Sequence, residues 1–137
     1  MKTAEGRMGH EDRWVLIDTE TTGLNDPVYP IEIGAQLMQG WEPSGDPFHV
    51  LINFDVPMEP DAVRIHKYTR DYLRHKGCPP QESLDRFRRF AGAMPLASYN
   101  LAFDWDRVLV PTFRRMGMPN TMQPGFCVLD LVRYLVP

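Results

Sequence analysis

The sequence predicts a mixed α/β domain of three antiparallel strands followed by alternating helix and strand. Three observations carry this. Period-two apolar patterning marks the first part of the chain, short turn-rich links join those segments, and three-to-four-residue apolar spacing takes over after Ala62. Residues 14–20 suit a first strand, being rich in β-branched and aromatic side chains. Residues 30–40 suit a second, with Ile31, Ile33, Ala35 and Leu37 on one face. Residues 48–54 give a third. The links "TGLNDPVYP" and "WEPSGDP" have the composition of turns, so these strands should form a meander.

Downstream, "AVRIHKYT" and "RDYLRHKG" read as short helical pieces ending at Gly77. "PPQESLDRFRRFAGAM" reads as a longer helix with proline at its start and a core stripe of Leu84, Phe87, Ala91 and Met94. "PLASYN" reads as a fourth, buried strand. "AFDWDRVLVPTFRRMG" is a helix that Pro111 should kink or restart, because proline lacks an N–H and crowds the preceding turn. "FCVLDLVRYLV" suggests a short strand passing into a last helix.

The chain has 137 residues, 43% hydrophobic and 24% charged, which suits one globular domain rather than a disordered segment. No apolar run approaches the ~18 residues a membrane helix needs. The polar start, residues 1–12, has no apolar core of a secretory signal and reads as a flexible tail, so a cytoplasmic location is expected. The two cysteines, Cys78 and Cys127, form neither a disulfide framework nor a zinc site and are expected as reduced thiols. The net charge of −3 conceals an asymmetry. Residues 1–62 hold 12 acids and 3 bases, whereas residues 63–137 hold 6 acids and 12 bases. Such a division suits a polyanionic or metal partner, or simply solvated helix surfaces.

The stretch "WVLIDTETTGL" is chemically unusual. Strand side chains alternate, so Asp18 and Glu20 share a face with Leu16, while Val15 and Ile17 take the other. Two carboxylates so close repel when both are ionised, which raises one pKa unless a cation intervenes. A hard divalent ion such as Mg²⁺ is the natural remedy, since it prefers oxygen ligands. A second acidic element, "SYNLAFDWD", places Asn100 after a buried strand and Asp104 at a helix start. Strand ends of α/β sheets are where ligands collect, so Asp104 should converge on Asp18 and Glu20. Alone, Asp104 would be an ordinary helix-start acid.

"DTETTG" (Asp18, Glu20, Thr21, Thr22, Gly23) followed by "NLAFD" (Asn100, Phe103, Asp104) resembles the paired motifs of the DEDD superfamily of 3′–5′ exonucleases. The resemblance is to its DnaQ-like branch, the family of the DNA polymerase III epsilon subunit. "IEIGA" fits that family's second strand, and "AVRIHKYT" is similar to its Ile-His-Gly-Ile-Thr element, with Lys67 where glycine is usual. The resemblance implies a ribonuclease H-like fold, an exonuclease domain over residues 13–137, and removal of nucleotides from the 3′ end of single-stranded DNA or RNA. It also implies two Mg²⁺ or Mn²⁺ ions, held by Asp18 as the bridging carboxylate, Glu20 and Asp104. Thr19, Thr22, Gly23 and Leu24 would hold the terminal nucleotide, with His66, Asn100 and Phe103 lining its pocket. A DNA polymerase is a further implied partner.

The family's third motif, a histidine with an aspartate five residues on, has no counterpart here. His10, His49, His66 and His75 all precede Asp104, and the one acid after Asp106 is Asp130. The sequence therefore reads as a domain lacking its C-terminal helices, and the activity of these 137 residues alone is open. The competing expectation is a non-catalytic nucleic-acid-binding or polymerase-associated module on the same fold.

Overall fold

The computed structural model describes residues 12–135. The expected tail, residues 1–12, lies outside that range except for Asp12. Strand β1 is Arg13–Thr21 and β2 is Pro30–Gln39, antiparallel, with Asp18 opposite Gly34 and Glu20 opposite Glu32. The far edge of β2 pairs antiparallel with two short strands, β3 (Glu42–Pro43) and β4 (Phe48–Leu51). Strand β5, Pro95–Ser98, runs parallel to β1 on its other side, and β6, Gln123–Cys127, runs parallel to β5. The order is β3-β2-β1-β5-β6, with β4 also beside β2.

The predicted meander and crossover strands are thus present, with corrections: the link "WEPSGDP" holds the short β3, β5 stops at Ser98 rather than Asn100, and β6 begins at Gln123, ahead of Phe126. The third predicted strand, residues 48–54, stops at Leu51. Beyond it the chain pairs elsewhere: Cys78 N–H donates to Leu51 O, and Asn53 N–H donates to Cys78 O.

Three helices follow β4: α1 (Pro60–His66), α2 (Arg70–Lys76) and α3 (Pro80–Ala91). Helix α3 buries Leu84, Phe87 and Ala91, three of the four residues of its predicted stripe. After β5 the chain winds as a π-helix over Ala102–Leu109 and tightens into α4, Val110–Arg115. The change falls at Pro111, whose ring cannot fit behind a regular preceding turn. Helix α5 is Val128–Leu135.

The core lies on one face of the sheet. Val15, Ile17, Ile33, Ala35 and Leu96 pack there against Leu84 and Phe87 of α3 and against Leu109 and Phe113. The opposite face, carrying Leu16 and Asp18, is open. Leu16 is 37% exposed and Trp41, beyond β2, 72%. Trp14, Trp41 and Phe126 meet edge-on at one end of that face.

Candidate active site

Strand β1 delivers the first two acids. Its alternation is as expected: Val15 and Ile17 are buried, whereas Asp18 is exposed and Glu20 half-buried. The third acid arrives from the other side. Strand β5 lies parallel to β1 and ends at Ser98, and the following π-helical run presents Asp104 at the same end of the sheet. Asp104 is 7% exposed and accepts a hydrogen bond from the Thr19 hydroxyl at 2.5 Å.

The three carboxylates influence one another. Glu20 is held above the usual carboxylate range, first by burial and then by the charges of Asp18, Glu32 and Asp104. Asp104 is likewise raised, chiefly by burial, with the Asp18 charge adding and the Thr19 bond opposing. The Ser98 hydroxyl lies near enough to favour ionised Asp104, yet its buried oxygen falls short of hydrogen-bonding geometry. As an all-oxygen donor set the three acids suit a hard divalent ion. As they stand, however, no three His, Cys, Asp or Glu side chains among the described residues are gathered closely enough to hold a metal. Asp104 is instead committed to Thr19, which faces away from Asp18 and Glu20 on the strand.

Beside the acids lies a cleft of about 260 Å³. Leu24, Ala62, Ile65 and Phe103 form its apolar walls, and Thr19, Glu20, Gly23 and His66 its polar side. Leu24 and Ile65 are 67% and 77% exposed, so two large apolar side chains stand at its rim. A larger cavity of about 720 Å³, between the start of α3 and the loop after α4, lies away from the acids.

The loop carrying Leu24 is pinned from several directions. Glu59 N–H donates to Thr22 O, and the Glu59 carboxylate accepts from the Asn25 backbone at 3.1 Å and from the Asn25 side chain at 3.0 Å. Arg107 donates to Leu24 O and lies over the Phe103 ring, 5.6 Å from its centre. Gly23 has φ +150°, and a Cβ there would sit 1.6 Å from a Glu59 carboxylate oxygen. Only glycine fits both the backbone angle and the space.

Of the residues expected to hold a nucleotide, Thr19, Gly23, Leu24, His66 and Phe103 line the cleft. Thr22 does not. It is buried, accepting from Tyr29 N–H through its hydroxyl. Asn100 is exposed, and its carbonyl accepts from Phe103 and Asp104 N–H at the helix start. His66 accepts from Tyr68 N–H through Nδ1, so its Nε2 carries the proton and donates to Thr21 O at 3.2 Å. Burial lowers its pKa, and the ring is a neutral wall with both nitrogens occupied.

Sequence reasoning missed Glu32, Glu59 and Arg107. Glu32 faces Glu20 across the ladder and accepts from Tyr68 OH at 2.6 Å, with His49 Nε2 at 2.5 Å. The antiparallel register, once counted through the turn, would have found it. Nothing local marks Glu59 or Arg107, which are 34 and 83 residues from the atoms they hold.

A sheet of this order, with acids at the end of its first strand and a third acid after the neighbouring parallel strand, is a ribonuclease H-like fold. The chain belongs to the exonuclease family: residues 15–137 match the RNase_T family, described as "Exonuclease", in its DEDD, DnaQ-like branch. It is 31% identical over 140 residues to the DNA polymerase III subunit epsilon of Haemophilus influenzae, covering 95% of this chain and 54% of that protein. It is 30% identical over 133 residues to the PolC-type DNA polymerase III of Bacillus cereus, covering 96% of this chain and 9% of that protein. The chain therefore spans about half of one relative and a small part of the other. Among solved structures, exonuclease I in complex with the inhibitor BCBP aligns with a TM-score of 0.79 at 20% identity, over 89% of this chain and 29% of that one. E. coli exonuclease I in complex with a 5cy-dT13 oligonucleotide aligns with a TM-score of 0.78 at 20% identity, over 89% and 29%. At that identity the likeness shows the shared fold. Among the described residues no helix is long and apolar enough to cross a membrane.

Proposed function

We propose that this chain is the catalytic domain of a metal-dependent 3′–5′ exonuclease that hydrolyses the terminal phosphodiester of single-stranded DNA or RNA. One observation carries the proposal: Glu20, whose pKa is raised by burial and by the charges of Asp18 and Asp104, lines an apolar cleft. Asp18, Glu20 and Asp104 are the residues that would hold Mg²⁺ or Mn²⁺, with Asp18 exposed and its charge felt by both of the others. Such ions, when bound, lower the pKa of water and neutralise charge on the phosphate being attacked. The protein's own part is placement. Leu24, Ile65 and Phe103 offer apolar surface to a base, and the Glu59 and Arg107 contacts fix the loop that carries Leu24. His66 is not the base that deprotonates water, because both its nitrogens are engaged. The names of the relatives support association with a DNA polymerase.

The dispersed carboxylates and the Thr19–Asp104 bond favour a second reading, a nucleic-acid-binding module that needs no ion. Calorimetry with Mn²⁺ separates the two. The exonuclease reading expects saturable Mn²⁺ binding that is lost in Asp18→Ala, and 5′-labelled strands shortened from the 3′ end only where Asp18 is intact. Salt-dependent strand binding with no heat from Mn²⁺ would establish the module instead.

A further inference from the structure

Two walls of the cleft come from distant parts of the chain, and one side chain outside the cleft touches both. Leu24, on the loop after β1, and Phe103, at the start of the π-helical run, line the cleft, whereas Arg107 does not. Arg107 follows Phe103 by four residues, about one turn. Its guanidinium lies over the Phe103 ring, 5.6 Å from the centre. The same group donates to Leu24 O and stands 3.4 Å from the Asp26 carboxylate. Those loop atoms are 83 and 81 residues away in sequence.

A guanidinium suits this double task, since it can donate through its edge while lying against an aromatic ring. The loop has a second tether on its other side. Glu59, which precedes α1, accepts from the backbone and side chain of Asn25, and α1 carries Ala62 and Ile65 of the opposite apolar wall. Leu24 itself is 67% exposed, so burial does not hold it where it stands. Its place depends on the two tethers. An apolar wall fixed before a ligand arrives costs less to order when the ligand binds.

We propose that Arg107 is a positioning residue that sets the spacing of Leu24 and Phe103, and so determines how firmly the cleft grips a nucleobase. It acts through those two walls and makes no contact with the nucleotide. This inference deepens the terminal-nucleotide site proposed above and rests on it.

Calorimetry on the whole chain in Mn²⁺ tests it, with thymidine monophosphate and with thymidine, which has the base but no phosphate. Arg107→Ala should weaken both ligands by the same factor, about 10-fold, the scale of one lost base contact. Binding of Mn²⁺ alone should not change. Arg107→Lys, which keeps a donor for Leu24 O, should recover most of the loss. A loss for the monophosphate alone would make Arg107 a phosphate contact and overturn the positioning role. Unchanged binding of both ligands in Arg107→Ala, no recovery in Arg107→Lys, or a parallel loss of Mn²⁺ affinity would overturn it too. So would a parent that binds the monophosphate but not thymidine. Each of these leaves the terminal site standing, whereas a parent that binds neither ligand removes both.

Discussion

Asp104 is buried and bonded to Thr19, yet it is one of the acids proposed to carry charge for the reaction. Burial holds its pKa above the usual range, so the folded chain binds this proton more tightly than the unfolded chain. The resulting stability is fully present below the ordinary value of ~3.9 and is lost as pH rises through the raised one. Glu20 acts in the same direction. Asp104→Asn should therefore stabilise the ion-free chain at neutral pH, with the advantage vanishing towards acid; urea melts across the pH range read this directly. An advantage independent of pH would show that charge is not its origin. Added Mn²⁺ should reverse the order at neutral pH, since the cation stabilises the parent's carboxylates and finds a poorer ligand in asparagine. Lys67 shows a different local tension. It ends α1 with φ +70°, the left-handed conformation that explains why glycine is usual at that point in the resembling motif.

At the scale of the element, β1 and α3 show what could be read from the chain in advance. The alternation of β1 put Val15 and Ile17 inside and Asp18 outside, and the stripe of α3 named its buried residues, because both follow from local periodicity. The early end of β4 did not follow. Ile52 still donates to Ile31 O of β2, and it is Cys78, pairing with Leu51 O and Asn53 N–H, that takes over from there. The π-winding before Pro111 was legible as a disruption but not as a form. The cleft's apolar walls were half legible: Leu24 and Phe103 belong to recognisable motifs, whereas Ile65 gains its role from where α1 comes to rest. Helix α2 is short, and its one side-chain cap is the Thr69 hydroxyl, which accepts from Tyr72 N–H at 3.0 Å. Thr69→Ala should cost about 0.5–2 kcal/mol in chemical denaturation.

Across the whole molecule, the two faces of the sheet differ in what they contribute. Helices cover the face bearing Val15 and Ile17, and Phe87 is wholly buried against it. Phe87→Ala should destabilise by about 3–5 kcal/mol through lost transfer energy and a cavity. Leu16→Ala, one strand position away from that core on the open face, should stay within about 1 kcal/mol, as expected for a partly exposed side chain. Equal losses in the two variants, measured by urea unfolding, would mean that the open face is packed as tightly as the covered one. The Thr19–Asp104 bond joins residues 85 positions apart, across the parallel pairing of β1 with β5. On a ribosome, Asp18 and Glu20 emerge and pair into the local meander long before Asp104 is synthesised. Contacts of such long range close late in folding. A nascent chain thus carries half of the proposed acidic site, and the other half joins it only once β5 has docked.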